Sequence, residues 1–575
     1  MTTQGMKGSN VYTSDELDQM DGHSTPSSLI LGLSVILTRG VSYMDVKNAV
    51  DAILCSPGTM ENVRQVVEDL IVLAFQVRDI RGGKGERLAS EHLFKVLLSY
   101  ELTYDVTLKV IELLPEYGCW QDLFALGTFH LGSKLVDIVE KQFLKDEVAL
   151  AVGDPVSLLA KWMPREGHPD VTPFVIRLVP GTMFWPTRLK LYRKRVSRLN
   201  KAIKTVEIKM CANEWDEIDP ARVPARAMQK YSKAFLNEVG TTRKNQKPGR
   251  GLRHPENEVR NLCRAQFQDY FHKTATGEIK AKGSDTLFPH ELLKAAMLIL
   301  ENPESSSEDD MARIEGVWAS MVARATEGGA LTNTLAMCDW SGSMRNSPVN
   351  SDTPYWASLA LGLLISEVNK GDFKDSILSF DFTPKFHHFP GGGLFDKLRS
   401  LPSGIGQGLS TDFQAAMDLI LATLKEKRMK AGDEPKDLIV LTDMAWDAAC
   451  GSADTNPYTG NQYRHVVKTD SWQTHVEMIR EAFKRAGEDM WGVGQSWKMP
   501  RIVIWNLAAT CKDFHAKADT EGVVMLSGWS PSLFKVLQVD GIQVQTPEHA
   551  LEIQLNDQRY LPVRQRIRLV FKSRT

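Results

Sequence analysis

From about Ser28 to Met321, apolar residues recur at three- and four-residue spacing, the signature of helices that bury one face. Leu29–Thr38, Met44–Leu54, Met60–Val77, Leu88–Tyr100, Val106–Leu114 and Leu135–Phe143 all follow this period. Turns rich in Gly, Pro or Asp separate them, as at Gly40, Ser56-Pro57-Gly58 and Arg81-Gly82-Gly83. Segments of similar size, with almost no β-rich run among them, predict a curved array of antiparallel, HEAT-like helix pairs. After Gly329 the pattern changes. Short apolar runs alternate with amphipathic helices through Leu331–Cys338, Trp356–Val368, Ser376–Phe380, Phe413–Leu424, Asp437–Leu441, His475–Phe483, Arg501–Leu507, Val523–Leu526 and Pro531–Leu537. That rhythm predicts a doubly wound, mostly parallel sheet with helices on both faces. The expected organisation is therefore α followed by α/β: a disordered tail over 1–27, a helical-repeat domain over 28–325, and an α/β domain with a basic C-terminal tail over 326–575.

Composition narrows the classes. The 575 residues exceed one compact core, and 43% hydrophobic with 24% charged residues excludes collagen-like, coiled-coil and wholly disordered chains. Seven widely spaced cysteines, with no C-x-x-C pair, do not describe a disulfide scaffold and suit a reducing compartment. The polar N-terminus lacks the basic-then-apolar order of a signal peptide, and the apolar stretch Leu29 to Leu37 is too short to span a bilayer. A soluble, intracellular, cytoplasmic protein without membrane association is expected.

The net charge of −2 conceals segregation. Residues 188–264 hold 20 Lys or Arg against 8 Asp or Glu, a local charge of +12. Within this window Val196, Leu199, Ile203, Val206 and Met210 define one apolar helix face, while Arg193, Lys194, Arg195, Arg198, Lys201 and Lys204 occupy the remainder. The stretch that follows has no apolar period and reads as a basic loop carrying Arg243, Lys244, Lys247, Arg250 and Arg253. Such a face suits a polyanion, or it pairs with acidic neighbours near Asp310. The tail adds Arg559, Arg564, Arg566, Arg568, Lys572 and Arg574, with no acid among them. Arg564, Arg566 and Arg568 alternate with Gln565, Ile567 and Leu569 in a strand-like pattern, which would close on the helical array or reach a phosphate backbone.

The first apolar run of the α/β half leads into Asp339-Trp340-Ser341-Gly342-Ser343. One carboxylate and two hydroxyls two residues apart, on a loop turned by Gly342, converge as hard oxygen ligands suited to Mg²⁺ or Mn²⁺. Thr411 precedes the helix starting at Phe413, and Asp443 ends the apolar run Leu438 to Thr442. The set Asp339, Ser341, Ser343, Thr411 and Asp443 resembles the metal-ion-dependent adhesion site of von Willebrand factor A domains, over about 240 residues from Leu331 onward. That resemblance implies a divalent ion held directly or through water by these five residues, with an open position for a partner's carboxylate.

A helical array joined to such a domain resembles the Ro autoantigen (TROVE) proteins and their uncharacterised relatives. The local matches are Phe75 to Arg87, Pro115 to Leu123, Lys161-Trp162-Met163-Pro164 and the basic helix ending near Glu214-Trp215. The insertion Gly240–Pro255 departs from the pattern. The resemblance implies binding of small RNAs by the helical repeats.

Other constellations carry less. Gly82-Gly83-Lys84-Gly85 lacks the spacing, the preceding strand and the hydroxyl of a phosphate loop. It reads as a basic turn that touches phosphate or pairs with Glu86 and Asp79. His387 and His388, if on a strand, face opposite ways and do not share an ion. Cys338 lies in an apolar run and reads as buried and inert. The long connection Trp446 to Trp472 leaves the metal-bearing edge and is expected to shape partner access. The expectation is a non-catalytic RNA-binding ribonucleoprotein component with a Mg²⁺ or Mn²⁺ site for a protein partner. The alternative is a protein–protein scaffold, self-assembling or not, whose metal site takes a partner's carboxylate.

Overall fold

The computed structural model describes residues 25–181, 184–239, 251–303, 307–327, 329, 331–345, 353–380, 383–401, 412–444, 453–455, 462–464, 469–509, 521–538 and 546–572. The expected tail 1–27 falls almost wholly outside these residues. From Pro26 to Glu327 the described chain is helical, and from Thr334 onward strands and helices alternate.

The helical period translates directly into packing. Helices Pro26–Ile36, Tyr43–Cys55, Val63–Arg78, Arg87–Leu97, Glu101–Val110 and Ser133–Val152 account for the six expected segments. Local capping sets their starts: the Ser42 hydroxyl accepts from Asp45 N at 3.1 Å. The segment expected over Met60–Val77 is divided, because Asn62 leaves helical geometry between Pro57–Glu61 and Val63–Arg78. Val63–Arg78 is the central helix of the array, with eleven consecutive or near-consecutive side chains from Val66 to Val77 buried. The basic helix is also divided. It runs Trp185–Ile203 and stops at Lys204, which adopts φ +52°, before a separate helix Val206–Ala212. The expected single apolar face through Val206 and Met210 therefore belongs to two helices.

In the α/β half, strands β1 (Thr334–Asp339), β2 (Ser376–Phe380), β3 (Phe386–His388), β4 (Asp437–Thr442), β7 (Arg501–Asn506) and β8 (Val523–Ser527) form one sheet in the order β3-β2-β1-β4-β7-β8. All pairs are parallel except the β2–β3 edge pair. A separate two-stranded ladder joins β5 (Ala453–Thr455) to β6 (Gln462–Arg464), within the connection expected to shape access. The central strands are buried on both faces, as parallel strands covered by helices must be. Leu438 and Val440 face one layer, and Ile439 and Leu441 the other. Helices Pro289–Glu301 and Glu308–Glu327, which precede the α/β half in sequence, share a core with Pro354–Val368 and one face of the sheet.

The two halves are locked by polar contacts. The last carbonyls of Pro26–Ile36 meet the carboxyl ends of β7 and β8: Asn506 Nδ2 donates to Val35 O at 3.1 Å and Ser527 Oγ to Ser34 O at 2.9 Å. Lys84 is buried in the same knot, donating to Ser34 O, to Leu37 O at 3.3 Å and to Ser527 Oγ at 2.5 Å. The Lys84 ammonium is thus turned inward, and the turn meets Asp79 through its backbone, Arg81 N donating to Asp79 Oδ1 at 3.1 Å. Asp79 also holds Arg559, with Nη2 to Oδ1 at 2.8 Å, and accepts from the Tyr560 hydroxyl at 3.2 Å. The turn tolerates no side chain at Gly83, where a Cβ would stand 1.9 Å from the Gln76 carbonyl oxygen. Nearby, the Arg39 guanidinium lies 4.2 Å from the Trp529 ring centroid, 3.5 Å from Glu86 and 3.2 Å from His290 Nε2. Burial first, then the charges of Arg39, Lys294 and Arg226, hold His290 well below its ordinary value, so it sits neutral.

The strand-like reading of the tail is corrected. Leu561–Lys572 is a helix, and its buried positions Val563, Ile567 and Val570 carry a helical period that the alternating arginines masked. It closes on the helical array. Arg564 is buried, donating to Glu68 Oε1 at 2.7 Å and Asp69 Oδ1 at 2.8 Å, while Arg568 reaches Glu68 at 2.9 Å and Arg566 pairs with Glu112. Arg574 lies outside the described residues.

Two outcomes follow from these contacts. Arg564→Ala leaves Glu68 buried with half its partners and costs about 3 kcal/mol in denaturant unfolding, whereas Arg566→Ala, at an exposed pair, costs below about 1 kcal/mol. Equal losses would contradict the assignment. Burial pushes the Lys84 ammonium down to about 7 from its ordinary 10.5. Between those values the unfolded chain binds more protons than the folded one, so the contribution of Lys84 to stability rises with pH across that window. The stability difference between the parent protein and Lys84→Met, measured at both ends of the window, should shift toward the parent at high pH; an unchanged difference would refute it.

Candidate functional site

The topology places β1 beside β4, with the chain crossing to β2 on one side and continuing to β7 and β8 on the other. This reversal of strand order is where open α/β sheets leave a crevice beyond the carboxyl ends of the strands. Asp339 ends β1 there, and Thr442 and Asp443 end β4. The register Cys338 to Leu441 puts Asp339 level with Thr442.

Local hydrogen bonds fix the loop. Ser341 N donates to Asp339 Oδ1 at 2.9 Å, curling the chain back over the strand end. That curl brings the Ser341 and Ser343 hydroxyls 3.0 Å apart. The Thr442 hydroxyl donates to Asp339 Oδ2 at 2.7 Å and accepts from Met444 N at 3.1 Å. Asp339, Ser341 and Asp443 are buried, and Ser343 is exposed. Burial, and then the charge of neighbouring Asp443, pushes the Asp339 carboxyl up to about 7. A buried carboxylate whose ionisation is opposed by a neighbouring carboxylate is relieved by a cation between them. The donor set, two carboxylates with two hydroxyls, fits a hard divalent ion such as Mg²⁺ or Mn²⁺.

Four of the five expected metal residues are therefore together. Thr411 lies outside the described residues; its neighbour Asp412 caps Phe413–Glu426 by accepting from Ala415 N at 2.9 Å. Thr442 was not singled out from sequence. Its signal was available, since it immediately precedes Asp443 at a strand end, but the strand pairing that aims it at Asp339 was not. Cys338 is buried, its thiol donates to Ser358 O at 3.5 Å, and burial holds its pKa far above the ordinary thiol range. His388 bonds Ser376 across 3.1 Å while His387 packs beside Trp340, so the histidine pair shares no site.

The basic window is more divided than its composition suggests. Arg193 pairs with Glu166, and Arg195 donates to Glu147 at 2.8 Å. Arg264 reaches Asp309 at 3.7 Å, and the Arg260 guanidinium stacks 3.6 Å from the Trp215 centroid. Lys194, Arg198, Lys201 and Lys204 are exposed and make no ion pair among the described residues. Arg253 is exposed and held through its backbone N to Asn237 O at 2.7 Å. Arg243, Lys244, Lys247 and Arg250 lie outside the described residues. Among the described residues no helix is long and apolar enough to cross a membrane.

Comparison with known proteins gives likeness without an activity. Residues 333–568 match a family model described as "Domain of unknown function (DUF7788)". Residues 184–241 match a second, "Domain of unknown function (DUF2828)". The first match spans the whole sheet and every candidate metal residue, and the second begins on the basic helix. "Uncharacterized protein L728" of Acanthamoeba polyphaga mimivirus is 24% identical over 488 residues, covering 81% of this chain and 75% of that protein.

The metal reading has a direct check. Mg²⁺ or Mn²⁺ raises the melting temperature of the unmutated protein above its value in chelator, and Asp339→Ala abolishes that difference. Equal melting temperatures with ion and with chelator in the unmutated protein would show that these residues hold no cation.

Proposed function

We propose that this is a non-catalytic binding protein whose divalent-ion site takes a carboxylate of a protein partner. The observation that carries the reading is the pairing of buried Asp339 and Asp443 at the strand-order reversal, with Ser341 and Ser343 beside them. Asp339, Ser341, Ser343 and Asp443, with Thr411, would hold the ion. An ion there supplies an electrophilic point to which an anionic side chain binds. Thr442 and the Ser341 amide orient Asp339 before any ion arrives, which lowers the ordering cost of binding. The neighbouring thiol, Cys338, is buried and protonated, which favours binding over nucleophilic chemistry.

RNA binding is a second reading, supported by the exposed cations Lys194, Arg198, Lys201 and Lys204 along one short stretch of chain. It predicts retention of oligonucleotides in filter assays with affinity falling steeply as salt rises. No retention at low salt would end it.

For the main reading, peptides are selected from a random displayed library against the protein in Mg²⁺. The selected peptides carry an Asp or Glu whose amide replacement removes binding, and affinity falls about tenfold or more in chelator or in Asp443→Asn. Binders that lack an acid, or that ignore the chelator, would overturn it.

A further inference from the structure

Helices Ser133–Val152 and Trp185–Ile203 lie side by side. Near their N-terminal ends Arg177 bridges to Glu140 at 3.0 Å while Arg188 reaches Ile176 O at 3.1 Å. In the middle Arg195 joins Glu147 and its guanidinium stands 5.1 Å from the Phe143 centroid. Beyond this, Asn200 donates to Ala160 O at 2.9 Å, and Ser157 donates to Asp146, next to Glu147, at 2.6 Å.

Each helix buries its core face and leaves its outer face open. On the first, Leu135, Ile138, Val139 and Phe143 are buried, while Leu144, Val148 and Val152 are 46%, 66% and 69% exposed. Their spacing of four places them in one stripe spanning about 12 Å of helix. On the second, Tyr192, Val196 and Leu199 are buried, and Lys194, Arg198 and Lys201 line the outer face beside Leu191, which is 37% exposed. The contact through Arg195 and Glu147 leaves Leu191 and Arg198 on the side turned toward the apolar stripe. An apolar band thus adjoins a band of cations.

We infer that this two-helix face docks an acidic amphipathic helix of a partner protein. An apolar helix face would cover Leu144, Val148, Val152 and Leu191, and its acidic flank would meet Lys194, Arg198 and Lys201. The side-by-side order of the bands favours this occupant. A nucleic-acid track gains nothing from a two-turn apolar stripe. An anionic bilayer would meet exposed Asp154 at one end of the stripe. The surface is separate from the metal site and does not depend on it.

The test uses the full chain in chelator, so that the metal reading does not enter. The probe is a fluorescein-labelled peptide of about five turns with leucines at three- and four-residue spacing and glutamates along one flank. The peptide binds by anisotropy, and Val148→Asp and Arg198→Glu each weaken it about tenfold or more at unchanged melting temperature. Neither phosphatidylserine vesicles nor oligouridylate displaces it. Absence of peptide binding overturns the inference, as does binding that ignores Val148→Asp. Displacement by vesicles would assign the face to a lipid surface instead, and displacement by oligouridylate to a nucleic acid.

Discussion

The rest of the molecule depends on where the carbonyls at the end of helix Pro26–Ile36 go. A helix leaves its last carbonyls without internal donors, and burying them unpaired is costly. Here Ser34, Val35 and Leu37 find donors from Ser527, Asn506 and Lys84, contributed by both halves of the chain. Lys84 places hydrogen-bond donors against the negative end of that helix dipole. The Gly83 turn that delivers it is in turn clamped by Arg559 and Tyr560 through Asp79. Loosening any of these contacts exposes a buried polar group in another part of the sequence.

This junction also divides the carboxyl edge of the sheet. The β7 and β8 ends are covered by the helical half, and the β1 and β4 ends carry the candidate oxygen ligands. The two regions are neighbours, since Leu507 N donates to Thr442 O at 2.8 Å and Thr442 in turn holds Asp339. The candidate site is thereby built on rigid strand ends rather than on loops alone.

Charge follows the same economy of pairing. The tail is spoken for by Glu68, Asp69 and Glu112, and within the basic window Glu147 and Glu166 take Arg195 and Arg193, so part of what composition suggested as one polyanion surface is internal ion pairing. Among the described residues a row of cations on one helix stays open, and beside it an apolar stripe whose exposure no period could announce. Leu144, Val148 and Val152 fit a helix equally well whether they face a core or a partner.

Sequence by itself determined the element types and most of their limits, because helical and strand periods are written locally in the apolar positions. β2 coincides with its expected limits, Ser376 to Phe380, and β4 is one residue longer than its expected run. The candidate metal residues were legible for the same reason, as short-range spacing at strand ends. The tail failed this reading, since Arg564, Arg566 and Arg568 imposed a two-residue alternation over the helical period of Val563, Ile567 and Val570. Only the tertiary structure decided that this helix closes on Glu68 and Asp69, that Lys84 is buried rather than free, and that Thr442 aims at Asp339. Each of those outcomes depends on partners that are distant in sequence or brought level only by strand pairing, and periodicity along a chain holds no record of which distant group will supply a hydrogen bond.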